Sequence, residues 1–194
     1  MKLTFLKKVV WVIFRFLFRL EYEGLENLPD SGGYLVCPNH RSYLDPLFIG
    51  DQLPLERTKF MVKAELLRGP LFSGFLKKLG CFGVDRGKGD LAAVETAVAI
   101  VREGNILMIF PEGTRSRGPE MKPFKTGAAF VAKHTGAGIV PVAIDFQGKL
   151  RIFKKVTVRF GTFITNGELG NSLHKASSLI RERIDAMLEA AKWS

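Results

Sequence analysis

Cysteine is scarce in this chain. There are two, Cys37 and Cys81, and neither belongs to a Cys-x-x-Cys pair. That excludes a disulfide framework and a thiolate zinc site, and it fits a reducing compartment. The histidines His40, His134 and His174 are too scattered to suggest a metal cluster, so no metal is expected. Long hydrophobic runs are missing too. The most apolar segment, residues 3–20, is interrupted by Lys7, Lys8, Arg15 and Arg19. Its longest uncharged stretch there is Val9–Phe14, against about 20 residues needed to cross a bilayer. No small-residue cleavage site follows an apolar core, so a cleaved signal peptide is not expected. There is no Gly-x-Ser-x-Gly nucleophile elbow and no Gly-x4-Gly-Lys-Ser/Thr phosphate loop. Gly87-Lys88-Gly89 fails the Gly-x-Gly-x-x-Gly pattern at Ala92.

Positive charge and phenylalanine are plentiful. Lys plus Arg number 29 against 19 for Asp plus Glu, a formal net charge of +10, and Phe occurs 16 times in 194 residues. Such a chain expects an anionic partner, and the phenylalanines favour one with apolar surface. The cations are spread along the chain rather than gathered on one recognition element, so nucleic acid is not the expected partner. At the N-terminus, Lys8, Arg15 and Arg19 fall in one sector of a helical wheel, opposite a broad face with Trp11 and several Phe. That pattern describes an amphipathic helix over residues 1–20 lying in an anionic membrane surface. The other reading of the same pattern is a helix that buries its wide face in the core. Either way, residues 21–194 form the remaining domain, whose length suits one core.

Beyond residue 20 strands alternate with helices. Strands are expected at Tyr34–Cys37, Lys59–Val62, Phe82–Val84, Ile106–Phe110, Ile139–Phe146 and Val156–Phe163. Helices are expected at 46–52, 64–79 with a break at Gly69-Pro70, Asp90–Glu103, Thr126–His134 and 172–192. The fold class is therefore α/β, a mixed and mostly parallel sheet flanked by helices.

Two segments could carry chemistry. The first is Asn39-His40-Arg41-Ser42-Tyr43-Leu44-Asp45, between a strand and a helix. Five residues apart on a helix would put His40 and Asp45 about 140° apart, so they meet only if the loop folds back. Pro46 should keep Asp45 out of helical conformation. Asp45 could then fix one imidazole nitrogen and leave the other as a general base. Asp45 could equally be a plain helix cap, with His40 a loop residue. The second segment is Phe110-Pro111-Glu112-Gly113-Thr114-Arg115-Ser116, at the end of an apolar strand. Gly113 permits positive φ, and the backbone N–H groups, Thr114 and Arg115 would suit a phosphate. A tight turn with solvated charges is the alternative. Arg86, at a strand-to-helix turn, and Lys63, at a strand end, are further candidate anion contacts or plain surface cations. A base without an obvious protein nucleophile suggests that the substrate's own hydroxyl attacks.

Together these segments resemble the glycerolipid acyltransferases, and among them the 1-acyl-sn-glycerol-3-phosphate (lysophosphatidic acid) acyltransferases. Asn39–Asp45 resembles the family's Asn-His-x4-Asp motif, Gly80–Arg86 its second motif, Phe110–Ser116 its Phe-Pro-Glu-Gly-Thr-Arg-Ser motif, and Ile139–Ile144 its apolar run around Pro. Gly83 departs from the larger residue often found there. The resemblance implies His40 as the base on an sn-2 hydroxyl and Asp45 as its orienting partner. It implies Arg86, Arg115 and Lys63 on the acceptor's phosphate, with Glu112, Gly113 and Thr114 shaping the glycerol site. It also implies a lysophospholipid acceptor, acyl-CoA or acyl-carrier protein as co-substrate, no cofactor, and peripheral attachment at the cytoplasmic face of the cell membrane. Other acceptors of the family, and a basic membrane-binding module without catalysis, remain open at this point.

Overall fold

Burial alternates along the strands. Tyr34 and Val36 contribute to one buried cluster, Leu35 and Cys37 to another, and Ile106 and Met108 divide from Leu107 and Ile109 in the same way. A strand turns successive side chains to opposite faces, so this division means a sheet covered on both sides. The computed structural model describes residues 12–69, 73–85, 91–116, 118, 120–146 and 148–190, with the side chain of Phe75 left out. Residues 12–17 are helical (α1). There follow β1 (Arg19–Glu23), β2 (Tyr34–Pro38), α2 (Asp45–Gly50), β3 (Thr58–Lys63), α3 (Ser73–Lys78), β4 (Cys81–Val84) and α4 (Leu91–Arg102). The chain continues with β5 (Ile106–Met108), α5 (Gly127–Thr135), β6 (Ile139–Asp145), β7 (Lys155–Phe160) and α6 (Leu173–Ala190).

The sheet has seven strands in the order β1-β7-β6-β2-β5-β3-β4. Every neighbouring pair is parallel except β6 and β7. A mixed, mostly parallel sheet with flanking helices is therefore present. Helices α4, α5 and α6 supply Ala97, Val101, Ala128, Ala132, Ala176, Ile180 and Ile184 to one cluster. The small residues let these helices lie close to the sheet. The opposite cluster is built on Phe18, Phe48, Ile49 and the other faces of the strands. The rings of Phe14, Phe18 and Phe48 meet there at 5.2–5.6 Å between centroids.

Several boundaries differ from expectation for identifiable reasons. The expected N-terminal helix ends at Leu17, and Arg19–Glu23 is a strand paired with Lys155–Arg159. The alternation Arg-Leu-Glu-Tyr-Glu has period two, which the wheel over residues 3–20 obscured. Arg15, expected in the basic stripe, donates to Asp51 Oδ2 at 2.9 Å. That contact holds the Arg15 guanidinium above its ordinary pKa. Phe14 and Leu17 pack against the core, whereas Val12, Ile13 and Phe16 are exposed. The segment thus divides between the two readings of its apolar face, and residues 1–11 lie outside the described residues. A 3-10 turn, Ala64–Leu67, and α3 stand as separate elements, and Pro70 of the expected break lies outside the described residues. At Gly83 a Cβ would approach Ala64 Cα at 3.1 Å, so the absent side chain lets that turn lie against β4. Among the described residues no helix is long and apolar enough to cross a membrane.

Candidate active site

The register of the parallel strands brings the expected site residues to one edge of the sheet. Pro38 is level with Val142, and Val36 is level with Met108, so residues 39–45 and 110–116 both leave at the C-terminal edge. Crevices at that edge are where ligands meet open α/β sheets. Asn39 is fully buried and continues the ladder with its side chain. Ile144 N–H donates to Asn39 Oδ1 at 2.7 Å, and Asn39 Nδ2 donates to the Ile144 carbonyl at 3.1 Å.

His40 and Asp45 meet. His40 Nδ1 lies 2.9 Å from Asp45 Oδ2, and the same oxygen accepts the backbone N–H groups of Arg41 at 2.7 Å and Ser42 at 2.8 Å. Asp45 is fully buried, and its Oδ1 has no partner among the described residues. One correction follows. Asp45 is the first residue of α2 rather than a residue held outside it, and Leu44 occupies the capping position with φ −88° and ψ −10°. The loop folds back through the two N–H bonds to Oδ2, so the carboxylate organises the turn that carries the histidine. A carboxylate can only accept, so Nδ1 carries the proton in the neutral ring, leaving Nε2 as the basic nitrogen. The imidazole is 14% exposed and lies 4.0 Å from the Phe110 ring, centroid to centroid.

The turn after β5 grips the histidine's backbone. His40 N–H donates to Glu112 Oε1 at 2.7 Å, and Ser116 N–H donates to the His40 carbonyl at 2.8 Å. Glu112 Oε2 accepts from the Ser116 hydroxyl and from Lys122 N–H, the latter at 2.9 Å. Glu112 is 2% exposed, so this carboxylate is a buried anchor joining three segments. Gly113 has φ 69°, and a Cβ there would sit 3.0 Å from the Lys125 side chain. Its bare backbone therefore lets Lys125 cross the turn. Thr114 is exposed. The Arg115 guanidinium stacks 3.3 Å above the Tyr43 ring, so residues 39–45 and 110–116 also touch through their outer side chains.

The other candidates are less closely gathered. Lys63 ends β3 at the same edge, and its ammonium pairs with Glu65 at 2.9 Å on the surface. Arg86 lies outside the described residues. Among the described residues no three His, Cys, Asp or Glu side chains group as metal ligands. Burial pushes the Cys37 thiol far up and the Cys81 thiol up to about 11, so neither is a ready nucleophile. Ser116, Lys122, Lys125 and Tyr43 complete the site in ways that spacing does not reveal. Ser116, four residues after Glu112, is the one that turn geometry could have suggested.

With Nδ1 held by Asp45, this arrangement can accept a proton at His40 Nε2. Comparison with known proteins bears on the family of the whole chain. The family model described as Acyltransferase matches residues 19–145. A 1-acyl-sn-glycerol-3-phosphate acyltransferase of Bacillus subtilis is 32% identical over 170 residues, covering 85% of this chain and 80% of that protein. The human 1-acyl-sn-glycerol-3-phosphate acyltransferase alpha is 34% identical over 130 residues, covering 66% of this chain. The chain spans 46% of the human protein and 49% of a similar one from Borreliella burgdorferi. The crystal structure of a 1-acyl-sn-glycerophosphate acyltransferase from Thermotoga maritima superposes with a TM-score of 0.75 at 24% identity, over 89% of this chain and 72% of that one. At that identity the likeness concerns the fold.

Proposed function

We propose, from the premise that this chain belongs to the acyltransferase family, that it moves a fatty acyl group from a thioester donor to the sn-2 hydroxyl of 1-acyl-glycerol-3-phosphate. The donor is acyl-CoA or acyl-carrier protein. The enzyme works peripherally at the cytoplasmic face of the cell membrane, where its acceptor lies in the leaflet.

The observation that carries this reading is the bond between His40 Nδ1 and Asp45 Oδ2, at 2.9 Å, on a carboxylate already fixed by two backbone N–H groups. It orients Nε2 for the acceptor hydroxyl. As the hydroxyl oxygen attacks the thioester carbonyl carbon, its proton passes to Nε2, and Asp45 stabilises the imidazolium that forms. The tetrahedral carbon then expels sulfur, and the thiolate takes the proton from His40. General-base assistance of this kind contributes about 10²–10⁴ in rate. Arg115, and with it Arg86 and Lys63, would bind the phosphate and so set the distance from the hydroxyl to His40. Glu112 and Gly113 would act through the shape of the turn, and Thr114 through its exposed hydroxyl.

The test is a mass-spectrometric transfer assay pairing both donor types with lysophosphatidic acid, glycerol-3-phosphate and lysophospholipids bearing larger head groups. Lysophosphatidic acid should be the best acceptor, and His40→Ala should abolish transfer while leaving the circular dichroism spectrum unchanged. Transfer to none of these acceptors would refute the proposal, and so would substantial activity of His40→Ala.

A further inference from the structure

We infer that the loop 148–154 and the exposed face of α1 form one docking surface for an anionic lipid bilayer, on the same edge of the sheet as His40. Four large apolar side chains stand out from the protein here: Ile13 at 50% exposure, Phe16 at 75%, Ile152 at 58% and Phe153 at 63%. Ile13 and Phe16 are one helical turn apart, and the Phe16 and Phe153 rings meet edge to face with centroids 6.1 Å apart. Single exposed apolar residues are ordinary, but a joined group of this kind marks an interaction site. Leu150 in the same loop packs inward, so the loop has both an inner and an outer face.

The backbone holds Phe153 outward. Its N–H donates to the Leu17 carbonyl at 2.7 Å, and Arg19 N–H donates to the Lys154 carbonyl at 3.1 Å, which fastens the loop to the end of α1. Phe153 has φ 62°, a left-handed conformation that glycine adopts readily and a bulky side chain does not. An exposed aromatic ring in a strained backbone contributes little to the fold, so the ring has a use outside it.

Charge identifies the occupant. Lys149 and Arg151 are exposed beside the apolar group, and the chain as a whole carries +10. Apolar side chains ringed by cations match the boundary between acyl chains and anionic head groups.

The topology supplies the orientation. β7 runs antiparallel to β6, and β1 runs parallel to β7, so both β1 and β7 begin at the edge where β2 and β6 end. Residues 12–17 and 148–154, which precede those strands, therefore flank the exit of residue 40. The Arg41 guanidinium ties the two together, lying 4.4 Å from the Phe146 ring centroid and donating to the Gly148 carbonyl at 3.0 Å. The inference rests on the proposed function only in placing a lipid acceptor within that bilayer.

The experiment sediments the full chain with vesicles of phosphatidylglycerol mixed with phosphatidylcholine, and of phosphatidylcholine alone. Phe153→Gly should lower partition about tenfold through lost apolar contact, with Tm unchanged or higher because the backbone strain is relieved. Lys149→Gln with Arg151→Gln should lower partition to the anionic vesicles about 25-fold, from about 1 kcal/mol per cation, and leave pure phosphatidylcholine unaffected. All these variants should acylate a monomeric short-chain acceptor at the parent rate, and a vesicle-embedded acceptor more slowly. Unchanged partition in both variants would overturn the inference. Loss of partition accompanied by a fall in Tm would overturn it as well. Partition that shifts as stated, with no acceptor acylated, would sink the proposed reaction and leave the docking surface standing.

Discussion

Replacing Glu112 by Gln tests whether this carboxylate serves the acceptor or the histidine. Its two oxygens face only donors: His40 N–H on Oε1, and Lys122 N–H with the Ser116 hydroxyl on Oε2. Gln keeps the shape but turns one oxygen into an NH2 group. With its oxygen towards His40, the NH2 meets Lys122 N–H; the Ser116 hydroxyl can rotate to accept, but a backbone N–H cannot. With the amide reversed, the NH2 meets His40 N–H instead. Either way a backbone donor loses its charged acceptor beside a side chain only 2% exposed, and in the first orientation Lys122 N–H keeps just its 3.2 Å bond to Ser116 Oγ. A hydrogen bond to a charged group contributes about 1.5–3 kcal/mol, and an unsatisfied buried donor costs about 1–3 kcal/mol. A net loss of about 3 kcal/mol lowers Tm by roughly 6–12 °C in a chain of this size. Because His40 is held by this turn on both its N–H and its carbonyl, kcat should fall as well, by up to about 10² for a displacement near 1 Å. The acceptor KM should stay within about twofold, since no substrate contact is removed. Thermal unfolding and steady-state kinetics on the same preparation decide the matter. An unchanged Tm with a raised acceptor KM would show that Glu112 binds substrate, and would refute the anchoring role.

Asp45→Asn can keep an oxygen at the Oδ2 position and so preserve the turn, but it cannot balance an imidazolium; kcat should fall about 10²–10⁴ with the circular dichroism spectrum unchanged. Arg115→Ala should raise the acceptor KM about tenfold or more, the scale of one charge-assisted phosphate contact. Tyr43→Ser should raise it about two- to fivefold by removing the ring under Arg115, Tyr43→Phe should be neutral, and Tyr43→Ser should add nothing to Arg115→Ala. Alkylation should spare activity at pH 7.5. A thiol with pKa about 11, as at Cys81, is ionised only to about 0.03% there, and the fraction rises as pH approaches 11. Iodoacetamide inactivation at pH 7.5 would count against this.

Much of the fold was legible because burial imposes a period on the sequence. The apolar strands at 34–37, 106–110 and 139–146 announce themselves by composition, and β5 differs from expectation only in ending at Met108. β1 was hidden because Arg19 and Leu20 continue the apolar wheel of the preceding helix, and only their pairing with Lys155 and Val156 makes them strand. Within the site, His40 and Asp45 are close enough in sequence for their meeting to be posed as a question. What sequence could not supply was the loop closure, which depends on the N–H groups of Arg41 and Ser42 converging on one oxygen. The grip of Glu112 on His40 joins residues 72 apart and leaves no local pattern. The pairing of Lys63 with Glu65 is the opposite case, a contact two residues away that gives the expected phosphate cation a competing partner.

The single antiparallel step in the sheet bears on how such an enzyme could face a membrane. If β7 had joined β6 in parallel, with β1 still parallel to β7, the residues before Arg19 would enter at the opposite edge of the sheet. Strand β7 is six residues long, so that reversal would move α1 by about 20 Å, from the side of His40 to the side of Tyr34. The apolar face of α1 and His40 would then lie on opposite sides of the domain, and a bilayer bound by one could not present a hydroxyl to the other. As the strands actually run, Arg15 reaches Asp51 at the end of the helix that Asp45 begins, so the exposed face of α1 is fastened to the element that aims His40. Asp51→Ala is therefore the substitution that should uncouple them. It would leave the pairing of His40 with Asp45 and the packing of Phe14 on Phe48 intact while removing the polar tether of α1, and transfer to vesicle-embedded acceptor should fall more than transfer to a monomeric one.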